Sequence, residues 1–278
     1  GSTIIFNYNK GYPAAGWSIG YGRMVPNYDN TATGDASGSG SANSPGNYLL
    51  IQPDGTRIHL RPAYDSTSGL WTNYSDGNGH LKLNPRNRRL TYSDGTQVNY
   101  TYTNNRLLPT LIRTRNGSRI SIAYRTYSGS AFKIRWAIDY ITDSLGRVVT
   151  FNYDGSTPTP KLTSITGPDQ SGGTRTYVKI DYTTITVQHN FNLTQDANNP
   201  TNGSSLTVVS HISYPATGRG YLFEDYSAYG MPRKISVRKD MNAGGGAKRR
   251  SNDGGQQQSV DEHHWHGERA ESQSGLHL

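Results

Sequence analysis

The sequence predicts an all-β protein of repeated antiparallel β-hairpins, joined into a curved or spiralling sheet with negligible helix. Three observations lead there. Large apolar residues fall three and five positions after a turn glycine in five separate segments, a phase that scattered alternation would not hold. Tyrosines close successive segments: Tyr102, Tyr124, Tyr153 and Tyr182 stand 22, 29 and 29 residues apart. That spacing suits a repeat whose units bury their faces only against their neighbours. The composition agrees, with 20 Tyr, 32 Gly and 13 Pro but only 32% hydrophobic residues, against about 45–50% in ordinary globular chains. Tyrosine can line a half-buried sheet because its ring packs while its hydroxyl stays polar.

Residues 90–102 state the unit plainly. Leu90 and Tyr92 alternate before Asp94-Gly95, and Val98, Tyr100 and Tyr102 alternate after it. The dipeptide predicts a two-residue turn with φ > 0 at its centre, which Gly reaches freely and Asp tolerates.

In chain order, residues 3–8 predict a first strand, and residues 16–23 a second in which Trp17, Ile19 and Tyr21 alternate. Residues 1–28 are thus N-terminal strands, and residues 29–46, rich in Asn, Ser, Gly and Thr, a flexible polar loop. Hairpin repeats fill residues 47–238. Tyr48 and Leu50 lead through Gly55 to Ile58 and Leu60, and Ile112 leads through Gly117 to Ile120, Ile122 and Tyr124. Ile138 and Tyr140 lead through Gly146 to Val149, Phe151 and Tyr153, and Ile212 and Tyr214 through Gly218 to Tyr221 and Phe223. One unit slips: after Gly173 the set Val178, Ile180, Tyr182 comes two positions late, which predicts an extended turn over residues 168–173. Residues 190–205 form a polar insertion. Residues 239–278 change character to Gly, Gln, Ser, Glu and His and predict a low-complexity, disordered tail.

With no cysteine, disulfides, Cys-ligated zinc and a thiol nucleophile are excluded. No run of about 18 apolar residues is present, so no membrane-spanning helix is expected. The formal charge is +8. From residue 239 onward there are five Lys/Arg and six Asp/Glu, leaving 23 basic and 14 acidic groups in the body, a charge of +9. Such a balance favours weak, salt-sensitive association with anionic partners.

At residues 143–154, Asp-Ser-Leu-Gly-Arg-Val-Val-Thr-Phe-Asn-Tyr-Asp, followed by Leu162-Thr163-Ser164-Ile165, the chain resembles the YD repeat of RHS (rearrangement hot spot) proteins. Ser93-Asp94-Gly95-Thr96 with Tyr100 and Tyr102 is similar, as is Gly16-Trp17-Ser18 to the segment ahead of the first repeats of that family. Only Tyr153-Asp154 keeps the literal Tyr-Asp pair after its strand; Thr103, Arg125 and Thr183 follow the other tyrosines. The resemblance covers roughly residues 3–238. It implies β-hairpins winding into part of a hollow shell used for encapsulation or cell-surface display in a secreted or toxin-related protein. It also implies an extracellular or surface location, with neighbouring repeats of a longer chain as the first partners.

Chemistry is weighed against simpler structural roles. Asp139 with Asp143, and Glu224 with Asp225, are possible carboxylate pairs of the glycosidase kind. The first pair flanks a turn, where Asp is favoured for turn formation, and neighbours on a strand point to opposite faces. His59, His80, His189 and His211 are isolated, and His59 is out of phase with Ile58 and Leu60, so it faces solvent. His263, His264 and His266 lack spaced partners for a metal. A lyase constellation of Tyr, His and Arg on one sheet is cheap to produce by coincidence in so Tyr-rich a chain. Arg86-Asn87-Arg88-Arg89, near Tyr92, and Lys248-Arg249-Arg250 suit anions by charge; a solvated basic face that blocks edge pairing is favoured, and nucleic acid is not. Exposed Tyr and Arg leave carbohydrate or an acidic polymer as the alternative partner, and a bare sheet edge could pair with a second copy. The sequence therefore predicts a structural repeat protein and no enzyme, with no catalytic, cofactor-binding or metal-ligating residue assigned and no cofactor.

Overall fold

The computed structural model describes residues 17, 19–26, 48–65, 70–77, 79–84, 87–103, 106–127, 136–156, 160–188, 202–227 and 230–239. The chain divides into two units, Gly1–Ala243 and Gly244–Leu278, and every described residue belongs to the first. The strand expected over residues 3–8, the loop over 29–46, residues 190–201 of the insertion and all of the tail but Lys239 lie outside the described residues.

The described strands are β1 (Arg23–Pro26), β2 (Tyr48–Ile51), β3 (Arg57–Asp65), β4 (Leu70–Ser75), β5 (Leu81–Asn84), β6 (Arg89–Tyr92), β7 (Gln97–Thr103) and β8 (Arg106–Arg113). They continue as β9 (Arg119–Thr126), β10 (Trp136–Asp143), β11 (Val148–Tyr153), β12 (Leu162–Pro168), β13 (Thr174–Thr186), β14 (Ser205–Tyr214), β15 (Arg219–Tyr226) and β16 (Pro232–Arg238). All pair antiparallel, in chain order, in one sheet, and no helix occurs among the described residues. The hairpins read from the sequence are β2–β3, β6–β7, β8–β9, β10–β11 and β14–β15, with the slipped unit at β12–β13. Strands β4 and β5 were not singled out by the sequence reading, although Leu81 and Leu83 alternate with Lys82 in β5.

The turns differ from expectation in an instructive way. Between β6 and β7 the loop is Ser93-Asp94-Gly95, three residues and not two. Gly95 N–H donates to the Tyr92 carbonyl at 3.0 Å, and Tyr92 N–H to the Thr96 carbonyl at 2.8 Å. Asp94 accepts the Thr96 N–H at 2.7 Å, which holds the loop as a type I turn, so only Gly95 takes a positive φ, 88°. A three-residue loop of this kind ends on a left-handed glycine, whereas the type I′ two-residue loop that suits Asp-Gly needs φ > 0 at both centres. Gly55, Gly117 and Gly146 close their loops with the same pair of backbone bonds. So does Gly172, which makes it, and not Gly173, the turn glycine of β12–β13. That loop is no longer than the others. The late phase of Val178, Ile180 and Tyr182 arises inside the strands, where the hairpin is longer and Tyr177 adds a bulge.

Bulges recur on alternate strands. Thr72 on β4, Thr110 on β8, Asp139 on β10, Thr163 on β12 and Ser210 on β14 each stand unpaired against the preceding strand. Bulges bend a strand and increase its twist, so the bulges on β4 and on every second strand from β8 to β14 curl the sheet progressively. The first curl returns on itself. β8 gives one edge to β7 along its length and divides the other, pairing Met24 of β1 at Leu107 and β9 from Leu111 to Arg113. The change of partner falls at Pro109-Thr110, where proline offers no N–H and the bulge interrupts the ladder.

Two cores follow. Met24, Leu50, Leu60, Leu81, Leu83, Leu90, Val98, Tyr100 and Leu107 fill the curl of β1–β8. Ile122, Ile138, Phe151, Leu162, Ile180, Val209 and Phe223, one from each of β9–β15, form the second, against which Trp17, Ile19 and Tyr21 pack. Trp17 meets Phe223 edge to face at 5.1 Å. The alternation of Trp17, Ile19 and Tyr21 is therefore real packing, but the segment is not the predicted strand: Gly20 (φ 136°) and Gly22 (φ 78°) interrupt it, and pairing starts at Arg23. All five residues five positions after a turn glycine are buried. At the three-position site the pattern weakens, and Tyr221 is exposed beside the edge strand β16.

Candidate functional site

The polar groups of the repeats are organised around the bulges. In four successive units the carbonyl just before the bulged residue accepts a tyrosine hydroxyl from the next strand. Tyr124 donates to Pro109 (2.9 Å), Tyr153 to Ile138 (2.7 Å), Tyr182 to Leu162 (2.8 Å) and Tyr226 to Val209. In two units the bulged threonine also ties back across the ladder, Thr110 to the Asn99 carbonyl at 3.3 Å and Thr163 to the Asn152 carbonyl at 3.1 Å. Sequence reasoning placed Tyr124, Tyr153 and Tyr182 as packing groups and gave Tyr226 no role. Their hydroxyl bonds were not legible, because donor and acceptor stand 15 to 20 residues apart.

Burial pushes the Tyr124, Tyr182 and Tyr100 phenols well above the ordinary tyrosine range; at Tyr182 the nearby Asp154 adds to it. Such phenols hold their protons at neutral pH and act as hydrogen-bond donors. A folded-state value above the unfolded one contributes stability that is complete below about pH 10 and is lost as pH rises through the folded value. In an alkaline titration, phenolate absorbance should therefore rise in two parts: a gradual one from exposed rings, then a cooperative one coincident with loss of the β circular-dichroism signal. A single gradual rise with the sheet intact would show that these rings are not buried.

The candidate carboxylates do not act as pairs: Asp139, Asp143 and Glu224 each meet partners of their own. Asp139, itself a bulged residue, accepts Nε of Arg125 at 2.9 Å and also Nη2. The Arg125 guanidinium lies 5.1 Å from the centre of the Tyr153 ring, and its hydrogen bond to Asp139 raises its pKa further. Asp143 starts the β10–β11 turn, accepting the N–H groups of Leu145 and Arg147, both at 2.9 Å, and Arg147 Nε at 2.6 Å. Burial pushes its carboxyl up, but these donors outweigh it and hold it below the usual range. Asp154 closes the β11–β12 loop through the N–H groups of Ser156 (2.9 Å) and Lys161 (2.8 Å). Its carboxyl too is lowered, those bonds prevailing over burial. Glu224 lies 3.6 Å from Lys234 and 3.8 Å from Arg238, and Asp225 is exposed with φ 51°. The chemistry available in these groups is charge pairing and turn closure.

The other candidates scatter. His59 and His80 are exposed, and His211 Nδ1 lies 3.0 Å from Ser210 Oγ. His189, His263, His264, His266, Arg86 and Lys248-Arg249-Arg250 lie outside the described residues. Asn87, Arg88 and Arg89 are exposed, and the Arg88 carbonyl accepts Tyr100 N–H at 2.9 Å. Among the described residues no three His, Cys, Asp or Glu side chains gather to hold a metal, and no helix is long and apolar enough to cross a membrane. Two open hollows of about 430 and 400 Å³ flank the turn at Arg147, between the β10–β11 and β12–β13 hairpins. The second carries Asp169, whose carboxylate binds N–H groups of its own turn, and Arg175, 5.0 Å from the Tyr177 ring. No family model matches the sequence, and no curated protein is significantly similar to it.

Proposed function

We propose that the chain is a structural repeat segment, part of a β-shell of the RHS/YD kind that encloses or displays other material outside the cell. The observation that carries this reading is the tyrosine–bulge clasp repeated at β8–β9, β10–β11, β12–β13 and β14–β15. It places the polar atoms of the repeat in the service of curvature. Among the described residues β16 pairs on one edge only, and its Ile235 and Val237 are 59% and 70% exposed, a surface that a further hairpin would cover. Arg233, Lys234 and Arg238 on the same strand resist pairing of that edge with its own copy.

Carbohydrate binding is the second reading, favoured by one observation: Tyr214 and Tyr221 are exposed and meet edge to face at 6.3 Å. An array of neutral glycans, probed at low and moderate salt, separates the two. The structural reading expects no retention. Retention that disappears in Tyr221→Ala would replace it with a sugar-binding function.

A further inference from the structure

Three arginines distant in sequence meet on one face of the first curl. Arg23 of β1 pairs with Ile51 of β2, which pairs with Arg57 of β3. Directly paired residues share a face, so Arg23 and Arg57 stand in one row, two strand spacings or roughly 10 Å apart. Arg106 of β8 joins from the other side. Met24 pairs with Leu107 and both point into the core, so their neighbours Arg23 and Arg106 lie on the opposite face, in diagonal positions roughly 7–8 Å apart. The β1–β8 seam thus carries a guanidinium on each side and a third two strands beyond β1.

Nothing described neutralises them. None of the three takes part in an ion pair of the described residues. Nε of Arg23 is buried with no hydrogen-bond partner, although buried polar atoms in folded proteins are normally paired. Burial, then Arg106, then Arg57 lower the Arg23 pKa, and no carboxylate acts against them. Like charges gathered at a seam that rests on a single residue bridge oppose its closure. Guanidinium forks match the geometry of phosphate and sulfate oxygens, and a buried N–H makes the bond stronger.

We propose that Arg23, Arg57 and Arg106 form a binding site for a tetrahedral oxyanion, phosphate or sulfate, which seals the β1–β8 seam. The anion lies between the three guanidinium groups, and the buried Arg23 Nε–H gains a partner as its side chain turns toward it, with Arg57 and Arg106 closing from either side. It can be a free ion or a sulfate ester on an acidic glycan, since the recognising groups are the same. The site does not depend on the shell reading.

Thermal melts at constant ionic strength test it, comparing chloride with inorganic phosphate and, separately, with a sulfated oligosaccharide. A bound anion stabilises the folded state by mass action, so the parent should gain several degrees in at least one of the two arms. Arg23→Gln and Arg106→Gln should lose that gain while melting in chloride no lower than the parent, because each relieves repulsion. Arg175→Gln, far from the seam in sequence and paired with Tyr177, should keep it. A gain with phosphate alone assigns a free ion; a gain at lower concentration with the oligosaccharide assigns a polymer-borne group. No gain in either arm, or an equal gain in Arg106→Gln and the parent, overturns the proposal.

Discussion

Phe151→Ala should destabilise the protein by about 3–5 kcal/mol, the usual cost of deleting a buried aromatic ring. Phe151 is 6% exposed and supplies the β11 member of the second core. It faces Ile165 across the β11–β12 ladder, so a cavity there is lined by strands that cannot close over it without breaking register. Two neighbours calibrate the result. Tyr153→Phe keeps the ring and removes the hydroxyl with its bond to the Ile138 carbonyl, which should cost about 1 kcal/mol, somewhat more if the freed carbonyl stays dry. Leu145→Ala, at a turn position 78% exposed, should fall within about 0.5 kcal/mol of the parent. Urea unfolding of the three variants gives the order directly. If Phe151→Ala unfolds at the parent's midpoint, the phase of apolar residues after glycine does not mark the core. If Tyr153→Phe costs as much as Phe151→Ala, the clasp and not the ring is the main contributor.

How far this architecture was legible depends on the range of each interaction. The position five residues after a turn glycine is local, and Leu60, Tyr100, Ile122, Phe151 and Phe223 are all buried as the pattern demands. Turn type was less legible, because Asp-Gly suits both a two-residue and a three-residue loop. The two differ in the φ of Asp94, which is decided by whether its carboxylate captures the Thr96 N–H. The bulges were not legible at all. Thr110 and Thr163 look like ordinary β-branched strand residues, and Pro109, a residue type that sheets admit at edges and bulges, lies within β8 beside its bulge. Groups brought together by the curl were the least accessible. Arg125 and Asp139 are 14 residues apart, and the three seam arginines meet only because β8 returns to β1.

Gly22→Ala should be among the most damaging single-methyl changes in the protein, at about 2–5 kcal/mol. Left-handed backbone accounts for roughly 1–2 kcal/mol, since Gly22 has φ 78°, and steric overlap for about 1–3 kcal/mol more. A Cβ at this position would lie 2.4 Å from the Ile51 carbonyl oxygen and 3.2 Å from Gln52 Cα. Both are backbone atoms, so no side chain can swing aside. Relief requires moving β1 away from β2 at the Arg23–Ile51 pair. The same strand supplies Met24, whose bridge to Leu107 closes the first curl, and the segment before it carries Trp17 into the second core. Strain at one methyl therefore reaches both cores. Gly55→Ala and Gly117→Ala are the matched controls: each has φ 89°, and a Cβ at either meets nothing within 4 Å. They should show the left-handed strain alone, about 1–2 kcal/mol. Thermal melts give the comparison, and Trp17 contributes a fluorescence signal for loosening of the N-terminal segment. If Gly22→Ala melts with Gly117→Ala, β1 does not lie so close to β2. If it melts much lower and also loses its response to phosphate, the strand that carries Arg23 has left the seam, which ties the turn glycine, the curl and the anion site to one contact.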